Sequence, residues 1–208
     1  KIEDTTLGWR FVNPLMKAKY GIDSMPETAE NVALEFNINR ADQDAFALRS
    51  QQRWARAQLD GFFKDEIVPV TIHGKKGESR VFDTDEQPRE TSLDALAKLK
   101  GVVNPDGTVS AGNASSLNDG ACALLLASET TAVRNGLTPR ARVVGMATAG
   151  LAPRIMGFGP SPAVRKLLAQ TGLRLDQMDV TELNEAFAAQ GLAVMRDLGL
   201  PDEAAHVN

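Results

Sequence analysis

Asn184-Glu185-Ala186-Phe187-Ala188-Ala189-Gln190 follows the strand-like stretch Val180 to Leu183 and places a polar amide where a strand should give way to a helix. Strand-to-helix junctions are where α/β proteins gather their chemistry. An asparagine at such a junction has two uses. Its side-chain oxygen can cap the helix, or its amide can face a bound water or carbonyl. Working outward, three strand-then-helix pairs are predicted after residue 108: Ala121 to Ala127 with Glu129 to Asn135, Ala141 to Met146 with Pro162 to Gln170, and Met178 to Leu183 with Asn184 to Leu198. Such alternation indicates α/β layering.

The first half reads differently. Ser24 and Glu27 form a capping-box signal before Ala29, Val32, Ala33 and Phe36, which recur at helical spacing. A second helix is predicted from Asn39, with Asp42 in its first turn, to a stop at Gly61. Ile67 to Ile72 and Arg80 to Phe82 read as strands around the Gly74 to Gly77 turn, and Thr91 with Asp94 starts a short helix through Leu99.

Composition narrows the function. The 208 residues are 43% hydrophobic and 24% charged, enough for one large or two small globular units. A formal charge of −4 argues against a nucleic-acid partner, and no apolar run is long enough to span a bilayer, so a cytoplasmic setting without a membrane partner is expected. One cysteine excludes an internal disulfide framework. Cys122 lies among Ala121, Ala123 and Leu124 to Leu126, a setting expected to bury the thiol as core rather than activate it. His73 and His206 lack the surroundings of a catalytic base and are expected at the surface. Gly157-Phe158-Gly159 hints at a nucleotide-binding oxidoreductase, but Pro160 stands where the phosphate turn needs glycine.

Three blocks in order resemble the thiolase family of acyl-CoA acyltransferases: Ser24 to Ala33, Ala111 to Ala121, and Asn184 to Gln190. The resemblance extends through essentially the whole chain. Gly8-Trp9-Arg10-Phe11, Gly21 to Met25 and Pro153 to Gly157 look most like the bacterial 3-oxoadipyl-CoA branch. The resemblance implies an α/β/α layered core with a helical, loop-rich inserted domain. Residues 1–107 would be mostly that loop domain, 108–150 the end of an N-terminal α/β half, and 151–208 the start of a C-terminal half.

The implied activity is thiolytic cleavage of 3-oxoadipyl-CoA to succinyl-CoA and acetyl-CoA, with coenzyme A as substrate, no permanently bound cofactor and no metal. A homo-oligomer, dimer or tetramer, is implied for the complete protein. Asn184 inherits the role of the asparagine that holds an oxyanion-hole water. Met25 and Ser115, with Ala111 and Leu117 beside it, match residues along the acyl and pantetheine channel. Met156, Ala186 and Phe187 match positions around the reactive end of the substrate, and Arg89 matches an arginine at the nucleotide end of coenzyme A. Without the resemblance each apolar member reads equally as core, and the Gly-Asn-Ser block as a turn. The distal carboxylate of a 3-oxoadipyl chain would need a cation, either Arg154 or a residue elsewhere. The resemblance also implies a nucleophilic cysteine in an N-terminal segment, a catalytic histidine in a Gly-His-Pro motif and a second cysteine in a Cys-x-Gly motif, and this sequence contains none of the three. The chain is therefore expected to be an internal piece, inactive by itself. A non-catalytic coenzyme A binding or assembly module, and an acetyl-CoA acetyltransferase of the same family, are the alternatives.

Overall fold

The computed structural model describes residues 11–74 and 77–205, leaving Gly8-Trp9-Arg10, Lys75, Lys76 and His206 outside the described residues. The helices are α1 (Pro14–Tyr20), α2 (Met25–Glu35), α3 (Arg40–Leu59), α4 (Leu93–Ala97), α5 (Glu129–Arg134), α6 (Pro160–Thr171) and α7 (Ala188–Leu198). Strands β1 (Val70–His73) and β2 (Ser79–Phe82) form an antiparallel hairpin in which Val70 faces Phe82 and His73 faces Ser79. His73 lies on that exposed hairpin, where its Nδ1 is 2.9 Å from the Ser79 hydroxyl.

Local signals set the helix starts. At α2 the Ser24 backbone N–H donates to Glu27 Oε2 at 2.6 Å, closing the expected capping box. That bond, with the Ser24 hydroxyl, holds the Glu27 carboxyl below the usual carboxylate range. A depressed carboxyl stabilises the fold above its unfolded pKa and loses that contribution as pH falls through the lower, folded one. Wild type should therefore exceed Glu27→Gln in urea-unfolding stability near neutral pH. The gap should close in the acid range below the normal glutamate pKa; a gap independent of pH would refute the assignment. At α3, Asn39 accepts from the Asp42 N–H at 2.8 Å. The cap of α4 is Ser92, which accepts from Ala95 N–H at 3.2 Å, one residue beyond the expected Thr91.

The core is built by α2, α3 and α7. Val32 and Ala33 of α2, Phe46 of α3, and Ala189, Leu192, Ala193 and Met195 of α7 are buried together with Ile38. The 3-10 turn Pro153–Phe158 lies across this group, with Phe158 stacked on Phe36 at 4.1 Å between ring centroids. Fit is tight: a Cβ on Gly157 would stand 3.0 Å from Gln190 Cγ. Arg49 and Arg53 of α3 fasten the last described turn, Arg49 by an ion pair with Asp202 and Arg53 by donating to the Ala205 carbonyl at 2.7 Å.

Residues 121–127, 141–146 and 178–183 correct the sequence expectation. None is a named strand; only Thr181 enters a bridge, parallel to Ala205. An extended segment becomes a strand only when a neighbour accepts its backbone groups, and among the described residues only Thr181 has such a bridge partner. Leu124, Leu125, Leu126 and Met146 are consequently exposed, and so is Cys122, which the apolar context had placed in the core. Layering is still visible, since a Cβ on Gly145 would meet Leu167 and Thr171 of α6 at about 3 Å.

Candidate functional site

Two of the sequence blocks meet directly. Ala114 and Phe187 form an antiparallel bridge; Ser115 N–H donates to the Ala186 carbonyl at 3.0 Å and Ala188 N–H to the Asn113 carbonyl at 2.9 Å. Ser115, Ala186 and Phe187, far apart in sequence, are thus held backbone to backbone. Ala111 and Leu117 flank this ladder and are exposed.

The same ladder bears on the cap reading of Asn184. Helix α7 begins at Ala188 rather than Asn184, with Phe187 at the N-cap and no side-chain cap. The Asn113 carbonyl serves the first α7 N–H, and Asn184 makes no cap bond to the helix. Asn184 lies exposed in the non-helical stretch before α7. Next to it, Glu185 accepts from the Ser50 hydroxyl of α3 at 2.6 Å.

The remaining candidates separate into two places. Met25 opens α2 and Met156 lies on the turn that packs on α2; both are partly to largely exposed rather than core. Arg89 lies apart from them, on a groove of about 530 Å³ lined by Leu48, Gln51, Trp54 and Ala55 of α3 and by Pro88, Glu90 and Thr91. Its backbone N–H donates to Gln51 Oε1 at 2.9 Å. Arg154 is already engaged: its guanidinium contacts Glu35 Oε2 at 2.6 Å, and Asn31 donates to its carbonyl at 3.0 Å.

Sequence reading missed the residues that hold the 108–115 turn. Glu30 of α2 accepts from the Thr108 hydroxyl at 2.7 Å and from Val109 N–H at 2.8 Å. Asn113, buried within the Gly-Asn-Ala-Ser run, accepts at Oδ1 from Ser110 N–H at 2.7 Å. Its Nδ2 donates at 3.0 Å both to Asp44 Oδ1 and to the Thr108 carbonyl. A Gly-Asn pair with Ser three positions before the Asn was the available signal for a side-chain-closed turn.

This arrangement, a helical portion whose loop is laddered onto the start of a later helix, is that of an α/β protein. The chain belongs to the thiolase family: the thiolase N-terminal domain matches residues 9–130 and the thiolase C-terminal domain residues 137–208. Beta-ketoadipyl-CoA thiolase of Pseudomonas aeruginosa is 65% identical over 209 residues, covering 100% of this chain and 52% of that protein. The 3-oxoadipyl-CoA/3-oxo-5,6-dehydrosuberyl-CoA thiolase of Escherichia coli is 60% identical over 99% of this chain and 51% of its own length. The chain therefore spans about half the length of the curated relatives it matches. The crystal structure of the Bacillus anthracis acetyl-CoA acetyltransferase overlays with a TM-score of 0.85 at 41% identity, across 100% of this chain and 55% of that one. The backbone as a whole thus follows the α/β thiolase course. No described helix is long and apolar enough to cross a membrane.

Proposed function

We propose that the complete protein carrying this chain is a 3-oxoadipyl-CoA thiolase, an acyltransferase that uses coenzyme A to cleave 3-oxoadipyl-CoA into succinyl-CoA and acetyl-CoA. The observation that carries the reading is the ladder joining Ala114 and Ser115 to Ala186 and Phe187, beside an Asn184 that does not cap its helix. In this reading coenzyme A is a substrate and the assembly is a homo-oligomer. Residues 1–107 belong mostly to the loop domain, 108–150 to the first α/β half and 151–208 to the second.

During thiolysis negative charge develops on the thioester oxygen. Donors fixed in advance stabilise it, because they need no reorganisation when the charge appears. Asn184 would hold a water for that oxygen, together with a histidine that is not among these residues. Ser115 would meet the pantetheine arm, with Ala111 and Leu117 alongside. Met25, Met156, Ala186 and Phe187 would line the acyl channel and exclude water from it. Arg89, on its separate groove, would meet the nucleotide end of coenzyme A with a planar, multi-donor cation.

The distal carboxylate of the substrate is assigned elsewhere than Arg154, whose charge Glu35 already neutralises. Arg154→Ala should leave the KM for 3-oxoadipyl-CoA within about twofold and cost at most about 1 kcal/mol of stability, as exposed ion pairs do. A KM rise of tenfold for this substrate, absent for acetoacetyl-CoA, would return Arg154 to the site.

The direct test is thiolysis of 3-oxoadipyl-CoA by the complete protein, with acetoacetyl-CoA as comparison. Turnover of both with the longer acid preferred supports the reading. Preference for acetoacetyl-CoA favours the acetyltransferase alternative, and coenzyme A binding without turnover favours a binding module. The 208-residue chain alone, without a Gly-His-Pro or Cys-x-Gly motif, is expected to show no turnover.

A further inference from the structure

The ladder that brings Ser115 to Ala186 does not rest on its own hydrogen bonds alone. Behind it runs a polar chain that begins at the partly buried Arg40 of α3 and reaches the buried Asp44 and Asn113. Arg40 NH2 donates to the Leu96 and Leu99 carbonyls at 2.7 and 2.9 Å, and its Nε contacts both Asp44 oxygens at 2.8 and 2.9 Å. Asp44 is buried, and its Oδ1 accepts from Asn113 Nδ2 at 3.0 Å. The Asn113 amide is thereby fixed in orientation, since its oxygen faces Ser110 N–H and both of its N–H bonds face acceptors. Its backbone carbonyl then takes the first N–H of α7.

We propose that Asn113 and Asp44 are positioning residues for the acyl-transfer site, holding the pantetheine-facing Ser115 and the Asn184 loop in one register. The inference rests on the thiolase reading above. Its physical basis is that a buried network with its donors and acceptors matched admits one arrangement, because any other leaves a buried charge or amide unpaired. Asp44 does not touch the reacting atoms; it acts through Asn113, and Asn113 through two backbone bonds. Catalytic geometry is sensitive at this scale, a shift of about 1 Å being able to cost on the order of a hundredfold in rate.

The test uses the complete enzyme with two single variants, Asn113→Ala and Asp44→Asn, which keeps the side-chain volume, and with the exchanged pair Asp44→Asn with Asn113→Asp read against its parent Asn113→Asp. Rates are read well below each variant's unfolding temperature, together with hydrogen exchange at residues 113–117 and 184–190. The expected result is a loss of about tenfold or more in kcat with a raised KM for coenzyme A in both single variants. Faster exchange of the Ser115 and Ala188 amides should accompany it. The exchanged pair, which again sets an amide against a carboxylate, should recover at least threefold over Asn113→Asp alone, a rescue that general loss of stability would not give. Lowered unfolding temperature with kcat and KM within twofold of wild type would overturn the proposal. Should wild type itself fail to turn over, the thiolase reading falls. The positioning claim is then judged on exchange, and unchanged protection of both amides in both single variants overturns it.

Discussion

Asn184→Ala in the complete protein should lower kcat by roughly two to three orders of magnitude, equivalent to about 3 to 4 kcal/mol of transition-state stabilisation. The KM for the acyl-CoA should change by less than about threefold, because a donor aimed at a developing charge matters little to the neutral thioester that precedes it. Stability should be almost untouched. Were Asn184 the helix cap, its removal would cost about 1 kcal/mol; with Phe187 at the cap and Asn184 exposed, a change inside about 0.5 kcal/mol is expected. The two readings of this residue therefore predict opposite patterns. Catalysis lost with stability kept supports the oxyanion role, and stability lost with catalysis kept supports the cap. Asn184→Asp sharpens the contrast, since aspartate is a good cap but would set negative charge beside a forming oxyanion.

What was readable in the chain follows the range of the interactions. The starts of α2 and α3 were legible because Ser24 with Glu27 and Asn39 with Asp42 act within one turn. Leu124 to Leu126 and Val143 with Val144 carry a strand composition, but whether such runs enter a sheet depends on neighbours distant in sequence. The same dependence left Cys122 exposed against expectation. The start of α7 was placed four residues early for a related reason. Phe187 is held in extended backbone by the ladder to 113–115, across some seventy positions of sequence. That Ser115 lies beside Ala186 and Phe187 was not legible in the residues, because backbone bonds between segments so far apart leave no local signal. Asp44 was not legible, and Asn113 was legible only as a turn residue, not as its partner. One looks like an ordinary acidic residue on a helix and the other like a turn asparagine, and only their burial against each other distinguishes them.

Phe46→Ala is expected to be the most damaging core substitution, at about 3 to 5 kcal/mol in urea unfolding of the complete protein. Phe46 is 3% exposed, and its ring meets Gly191 of α7 so closely that a Cβ there would stand 3.0 Å from Cζ. The Arg49 guanidinium lies over the other side at 4.8 Å, so truncation also removes a cation-π contact. The contact is shaped from both sides, and this makes it separable from generic burial. Gly191→Ala alone should cost about 1 to 3 kcal/mol by overpacking. In the Phe46→Ala background the same methyl group enters space that the ring has vacated, so the second substitution should cost little or even stabilise. A double-mutant cycle should accordingly give a coupling of more than about 1 kcal/mol. Additive effects would show that the ring and α7 are not in direct contact. Because α7 carries the Ala188 end of the ladder, the functional consequence follows the same geometry. Phe46→Ala should loosen the register of residues 184–188 and lower kcat even at temperatures where the variant remains folded, whereas Phe46→Leu, which refills most of the volume, should preserve the rate.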